Sequence, residues 1–181
     1  DRREYLLAVY VGRLVGLLFA VLVPLFVVAG LVAATGGAKT SVIASHAGTD
    51  SVVLYVRFVV LTALLALVAL SVAVAVSAAA GGPRSAVALG VGTVVALTVG
   101  IDMAIVAGLG SAFPPDALPV FLALSPTGAY RGLVLGSVLD AALAETPAAG
   151  TPLLSFAGLL AWLVGSLVLA TLAVAPPGSR R

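Results

Sequence analysis

Leu124-Ser125-Pro126-Thr127-Gly128-Ala129-Tyr130-Arg131 lies between two long apolar stretches in the last third of the chain. Packing alone gives a bilayer protein little reason to place a proline and an arginine between spans, so this octapeptide is the most informative stretch of the sequence. Pro126 suits the first turn of a short helix, because its missing N–H costs nothing there, and Ser125 is available as the N-cap. Tyr130 and Arg131 follow where an aromatic ring and a snorkelling guanidinium both fit a membrane–water interface. These residues answer equally to an interface anchor and to a gating element.

Outward from the octapeptide, composition sets the class. The chain of 181 residues is 62% hydrophobic and 9% charged, with a mean hydropathy of +1.26. Soluble domains carry about 25% charged residues, so a soluble fold of this length has nowhere to hide so much apolar surface. The net charge of +2 is nine Lys and Arg against seven Asp and Glu, the basic residues lying singly between apolar runs apart from the pairs Arg2-Arg3 and Arg180-Arg181. They form no stripe for phosphate, and nucleic acid is not expected as a partner. The absence of cysteine excludes disulfides, thiolate metal sites and cysteine nucleophiles.

A spanning helix needs about 20 mainly apolar residues. Four runs qualify: Tyr10 to Ala34, with Arg13 near its start and Pro24 inside; Val52 to Ala79, with Arg57 early; Ser85 to Ala107, interrupted by Asp102; and Leu153 to Val174. Runs of this length without strict alternation bond their backbone internally as helices, not as barrel strands. Within the Pro-rich connector 108–152, Val120 to Leu124 and Leu133 to Leu143 are apolar but too short to cross. The expected fold is therefore all-α: a polytopic membrane helical bundle of four transmembrane helices, plus two short interfacial or re-entrant helices before the last span. Arg2, Arg3, Arg84, Arg180 and Arg181 fall on one side, which the positive-inside rule assigns to the cytoplasm with both termini. Lys39, Arg131, Asp50, Asp116, Asp140 and Glu145 fall on the other.

Asp102 is a carboxylate inside a span, where such groups face a bundle interior or a watery cavity. It is either an ion or substrate contact or an anchor paired with a neighbouring helix, with Arg57 the obvious partner; for Arg131, the candidate carboxylates are Asp102, Asp116 and Asp140. Arg13 lies near a span end and reads as a snorkelling side chain. His46, the lone histidine, has only Asp50 beside it, too few ligands for a stable metal site. Gly90, Gly92, Gly100, Gly158 and Gly165 lie inside spans and suit close helix approach. No Walker A, HExxH or GxSxG pattern occurs, so the chain is not expected to be an enzyme.

Leu124, Pro126, Tyr130 and Arg131 match the Leu-Asn-Pro-x-x-x-aromatic-Arg motif that precedes the last helix of exporter-class ABC permeases, the ABC-2 type membrane subunits; Ser125 stands where Asn is commoner. The opening Arg3-Glu4-Tyr5-Leu6-Leu7-Ala8-Val9-Tyr10-Val11-Gly12 resembles the Arg-x-Glu-x-Leu-Leu-x-Lys-x-x-Gly segment that leads into the family's third span. Val9 occupies the Lys position, which puts any contact of that Lys with an ATPase in doubt. The resemblance implies that residues 1–181 form a single transmembrane domain, spans three to six of a six-span permease whose N-terminal spans are absent. The chain is most similar to the subgroup that includes the permease for nitrous oxide reductase maturation. The resemblance further implies a multi-pass subunit of the cell membrane that pairs with itself and with separate ABC ATPase subunits. Those partners would bind the ATP and Mg; no cofactor is expected in this chain. Asp102, Arg57, Pro126, Tyr130 and Arg131 are the candidate functional or structural polar residues, with no catalytic residue among them. A competing reading is a non-transporting integral membrane assembly factor or sensor.

Overall fold

The computed structural model describes residues 2–35, 52–109, 118–139 and 152–174. Helix α1 is Arg2–Thr35 and α2 is Val52–Ala79. The third span is built from α3 (Pro83–Val95), a π-helical turn (Ala96–Gly100) and α4 (Ile101–Leu109). Two short helices follow, α5 (Leu118–Leu124) and α6 (Pro126–Val134), the latter running into a second π-helical turn (Leu135–Leu139). The last helix is α7 (Pro152–Val174). Among the described residues no strand occurs, and four helices are long and apolar enough to cross a membrane. The protein is an all-α, multi-pass membrane bundle. Helix α1 starts at Arg2 and not near Tyr10, because hydropathy marks only the stretch that suits hydrocarbon while the helix continues into polar sequence.

Helices α2 and α7 form the centre. The most apolar window of α2 is 39% buried and that of α7 22%, whereas those of α1 and the third span contain no buried residue. The two central helices run parallel. At one level Leu61 and Val68 pack with Leu159, and further along Leu70 and Val74 pack with Ala170. Helix α1 lies antiparallel to α2: Tyr10 donates to the Leu67 carbonyl and Tyr55 to the Leu25 carbonyl, next to Pro24. A tight turn at Gly82 and Pro83 starts the third span, with Pro83 at the first helical position and Ser85 Oγ accepting from the Gly82 amide at 3.0 Å.

The short helices form a hairpin that enters the bundle. Ser125, Pro126, Gly128, Ala129, Gly132 and Leu133 are all buried. They pack on the connector-side halves of α2 and α7, where Ala129 and Leu133 meet Leu61 and Leu159. Of the two sequence-based alternatives, interfacial or re-entrant, the structure is the re-entrant one. Glycines make the approach possible. A Cβ on Gly158 of α7 would collide with the Ala123 carbonyl of α5, one on Gly132 would lie 2.6 Å from Ser155 Oγ, and one on Gly128 2.5 Å from the Leu122 carbonyl. Gly90, Gly92 and Gly165 meet nothing within 4 Å, so the expectation of close packing holds for Gly158 and not for them.

Gly158→Ala is expected to destabilise the bundle by about 1–3 kcal/mol, since the obstacle is backbone and cannot rotate away. Gly165→Ala, in open space, should be neutral or slightly stabilising through helix propensity. Denaturant unfolding in detergent compares the two; equal effects would mean that the hairpin does not dock through Gly158.

Candidate functional site

The chain turns at Ser125, whose extended backbone (φ −98°, ψ 135°) separates α5 from α6. Its Oγ accepts from the Gly128 amide at 3.3 Å, capping α6 with Pro126 at the first helical position, as the octapeptide predicts. The capping oxygen belongs to a longer chain. Ser125 Oγ and Thr127 Oγ1 lie 2.8 Å apart, and Thr127 Oγ1 donates to the Leu97 carbonyl at 3.3 Å, with Ser125 Oγ 3.5 Å from the same oxygen. One proton arrangement satisfies every group: Gly128 donates to Ser125, Ser125 to Thr127, and Thr127 to Leu97.

The acceptor is available because of the π-helical turn. In a regular α-helix the Leu97 carbonyl would take the Ile101 amide; here that amide bonds Ala96. A carbonyl left over in hydrocarbon costs several kcal/mol unless another donor reaches it, and the hairpin hydroxyls supply that donor.

The rest of the hairpin is tied in the same manner. Thr62 donates to the Phe58 carbonyl at 2.8 Å, so the Tyr130 hydroxyl, 2.9 Å away, donates to Thr62. The end of α5 leaves the Leu124 carbonyl, which accepts from Trp162 Nε1 at 2.9 Å. At the far end of the hairpin Arg57 Nη1 donates to the Ser137 carbonyl in the second π-helical turn. Thr62 is ten residues into α2, about 15 Å along the axis at 1.5 Å per residue. Tyr130 therefore meets α2 about 15 Å from that helix's first residue, inside the bundle.

Asp102 does not pair with Arg57. Its Oδ2 accepts from Arg131 Nη1 at 2.7 Å, and Arg57 is engaged by Ser137. The physical reason is the hairpin itself: α6 packs against both α2 and the third span. Arg57 therefore meets the end of the hairpin, and Asp102 meets Arg131. The Asp102–Arg131 pair is not sealed, with side-chain exposures of 25% and 57%. Asp102 is six residues from the end of its span at Gly108, about 9 Å, close to the hydrocarbon boundary.

The structure thus assembles Asp102, Pro126, Tyr130 and Arg131 around one hairpin and places Arg57 at its far end. Arg13 is exposed on α1. His46, Lys39, Asp50, Asp116 and Asp140 lie outside the described residues. Among the described residues, no three His, Cys, Asp or Glu are placed to hold a metal ion. Sequence reasoning missed Thr62, Thr127, Trp162 and the Leu97 carbonyl. The first three carried a signal: each is a hydrogen-bonding side chain in or beside an apolar run, and such a group needs a partner there. No family model matches this chain, and no curated protein matches it significantly.

A double-mutant cycle tests the ion-pair assignment. Asp102→Asn and Arg131→Gln are each expected to destabilise by about 1–2 kcal/mol, between the values for exposed and for buried charged contacts. The two losses should be strongly non-additive, whereas Asp102→Asn combined with Arg57→Gln should add within about 0.5 kcal/mol. Coupling of Asp102 to Arg57 in unfolding measurements would reinstate the pairing drawn from sequence.

Proposed function

We propose that this chain is a permease subunit of an ABC-2 type transporter, moving a substrate across the cell membrane with energy from separate ATPase subunits. The observation that supports the reading best is the octapeptide itself. Its Ser-Pro step caps a short helix that enters the bundle before the last span, and its Tyr and Arg each hold a different neighbour, Thr62 and Asp102. A hairpin inserted between α2, the third span and α7 is placed to change the shape of a path through or beside the bundle. Such a path requires a companion surface, which a second copy of the subunit would supply. ATP and Mg would be bound by the partner subunits. Within that reading the chain is similar to the subgroup that includes the permease for nitrous oxide reductase maturation.

The direct test is copurification with an ATPase encoded in a neighbouring reading frame, followed by hydrolysis measurements on the reconstituted complex. Stimulated hydrolysis that depends on both subunits is the expected result; a protein that engages no ATPase would instead suit a membrane assembly factor or sensor. Within an active complex, Arg131→Ala should reduce coupled ATPase activity far more than Lys39→Ala, because the former leaves the Asp102 carboxylate unpaired inside a span. Equal, near-wild-type activity of the two variants would make Arg131 an anchor alone.

The same reading sets the orientation, with Arg84 in the cytoplasm. Single cysteines at Asp50 and Asp140 should react with an impermeant thiol reagent added outside, and one at Arg84 should not. The native chain has no cysteine to interfere. External labelling at Arg84 would invert the topology.

A further inference from the structure

We propose that the π-helical turn at Ala96–Gly100 is a register switch, which couples docking of the α5–α6 hairpin to the rotational position of α4 and hence to the Asp102–Arg131 pair. Nothing in this mechanism depends on transport.

Three observations carry it. The Ile101 amide bonds Ala96 and not Leu97, so the third span holds one residue more in this turn than a regular α-helix would. The Leu97 carbonyl released by that arrangement is met by hydroxyls of the hairpin, Thr127 at 3.3 Å and Ser125 at 3.5 Å. Asp102, beginning the helix just past the turn, contacts Arg131, which lies one helical turn along α6 from Thr127.

If the hairpin withdraws its hydroxyls, the Leu97 carbonyl has no donor in an apolar setting. It regains one when the turn relaxes to α-helix and the Ile101 amide returns to it. No backbone bond is lost in that change, because Ala96 then takes the Gly100 amide. The geometric consequence follows from helix periodicity. Relaxing a one-residue excess turns all of α4 by about 100° and shifts it by about 1.5 Å along the axis. Ile101 then occupies the azimuth that Asp102 had, and Asp102 leaves Arg131. Hydroxyls and ion pair are therefore held or released together: docking favours the π-helical turn, and that turn aims Asp102 at Arg131. Regular helix, by contrast, satisfies its own backbone and needs no hairpin.

Paired cysteines read the register directly in the otherwise cysteine-free full-length protein. Arg131→Cys is combined in turn with Ile101→Cys, Asp102→Cys and Met103→Cys, and each pair is treated with a short bifunctional thiol reagent in membranes. With Ser125 and Thr127 intact, the 102–131 pair should cross-link best. In a Ser125→Gly/Thr127→Val background, where glycine still tolerates the cap position, the preferred partner of 131 should move by one position, to 101. A second arm deletes Val99, which removes the extra residue without turning Asp102. There the 102–131 pair should cross-link whether or not the two hydroxyls are present, and the deletion should restore membrane recovery if the hydroxyl-free variant folds poorly. Continued preference for 102 in the hydroxyl-free background overturns the switch. So does loss of all three cross-links there, or loss of the 102–131 cross-link on deletion of Val99.

Discussion

The constraint on which this structure depends is the need to bond every backbone carbonyl away from water. Three carbonyls in or against the hairpin, those of Leu97, Leu124 and Ser137, are each met by a side chain from a different element. Thr127 reaches the third span from the hairpin, Trp162 reaches the hairpin from α7, and Arg57 reaches its far end from α2. Each bond both satisfies a polar group that hydrocarbon would penalise and fastens the hairpin to one neighbour. The hairpin is thus held on three sides by the groups whose exposure would otherwise prevent it from entering a bilayer.

Packing makes those bonds geometrically possible. Membrane helices gain little from the hydrophobic effect against one another, so close contact rests on small residues. Gly158, Gly132 and Gly128 bring α5, α6 and α7 near enough for the Trp162 and Ser125 bonds to form, and Ser155 fills the space opposite Gly132. Among the described residues, no buried side-chain nitrogen or oxygen lacks a partner. By contrast α3 has no buried residue, and the third span meets the hairpin chiefly through Leu97 and Asp102. An element held by a few polar contacts, next to one that is firmly packed, is the arrangement from which two discrete positions arise most readily.

Much of this was legible in the chain. Spans two and four fall within a residue of the runs read from hydropathy, because length and apolarity are local quantities that a bilayer tests directly. The cap at Ser125 and Pro126 was equally legible, since capping chemistry acts over three residues. The partner of Asp102 was only partly legible: Arg57 was the obvious arginine, while Asp102 was also one of three carboxylates open to Arg131. Arg57 and Arg131 are both arginines near the same end of the bundle, and only the insertion of α6 between α2 and the third span decides which one Asp102 meets. The partner of Tyr130 was not legible for a related reason, as residue type speaks of the interface and only the fold brings Thr62 to its hydroxyl.

The sequence by itself determined that the chain is helical, that four of its runs are long and apolar enough to cross a membrane, and that a capped short helix precedes the last of them. Each follows from interactions between residues close along the chain or between the chain and its solvent. The tertiary structure alone decided that the short helices re-enter, that the third span carries a π-helical turn at Leu97, and which of its candidate arginines Asp102 meets. These depend on a backbone carbonyl, which no side-chain pattern marks, and on donors 28 and 30 residues away that find it only once the hairpin is folded.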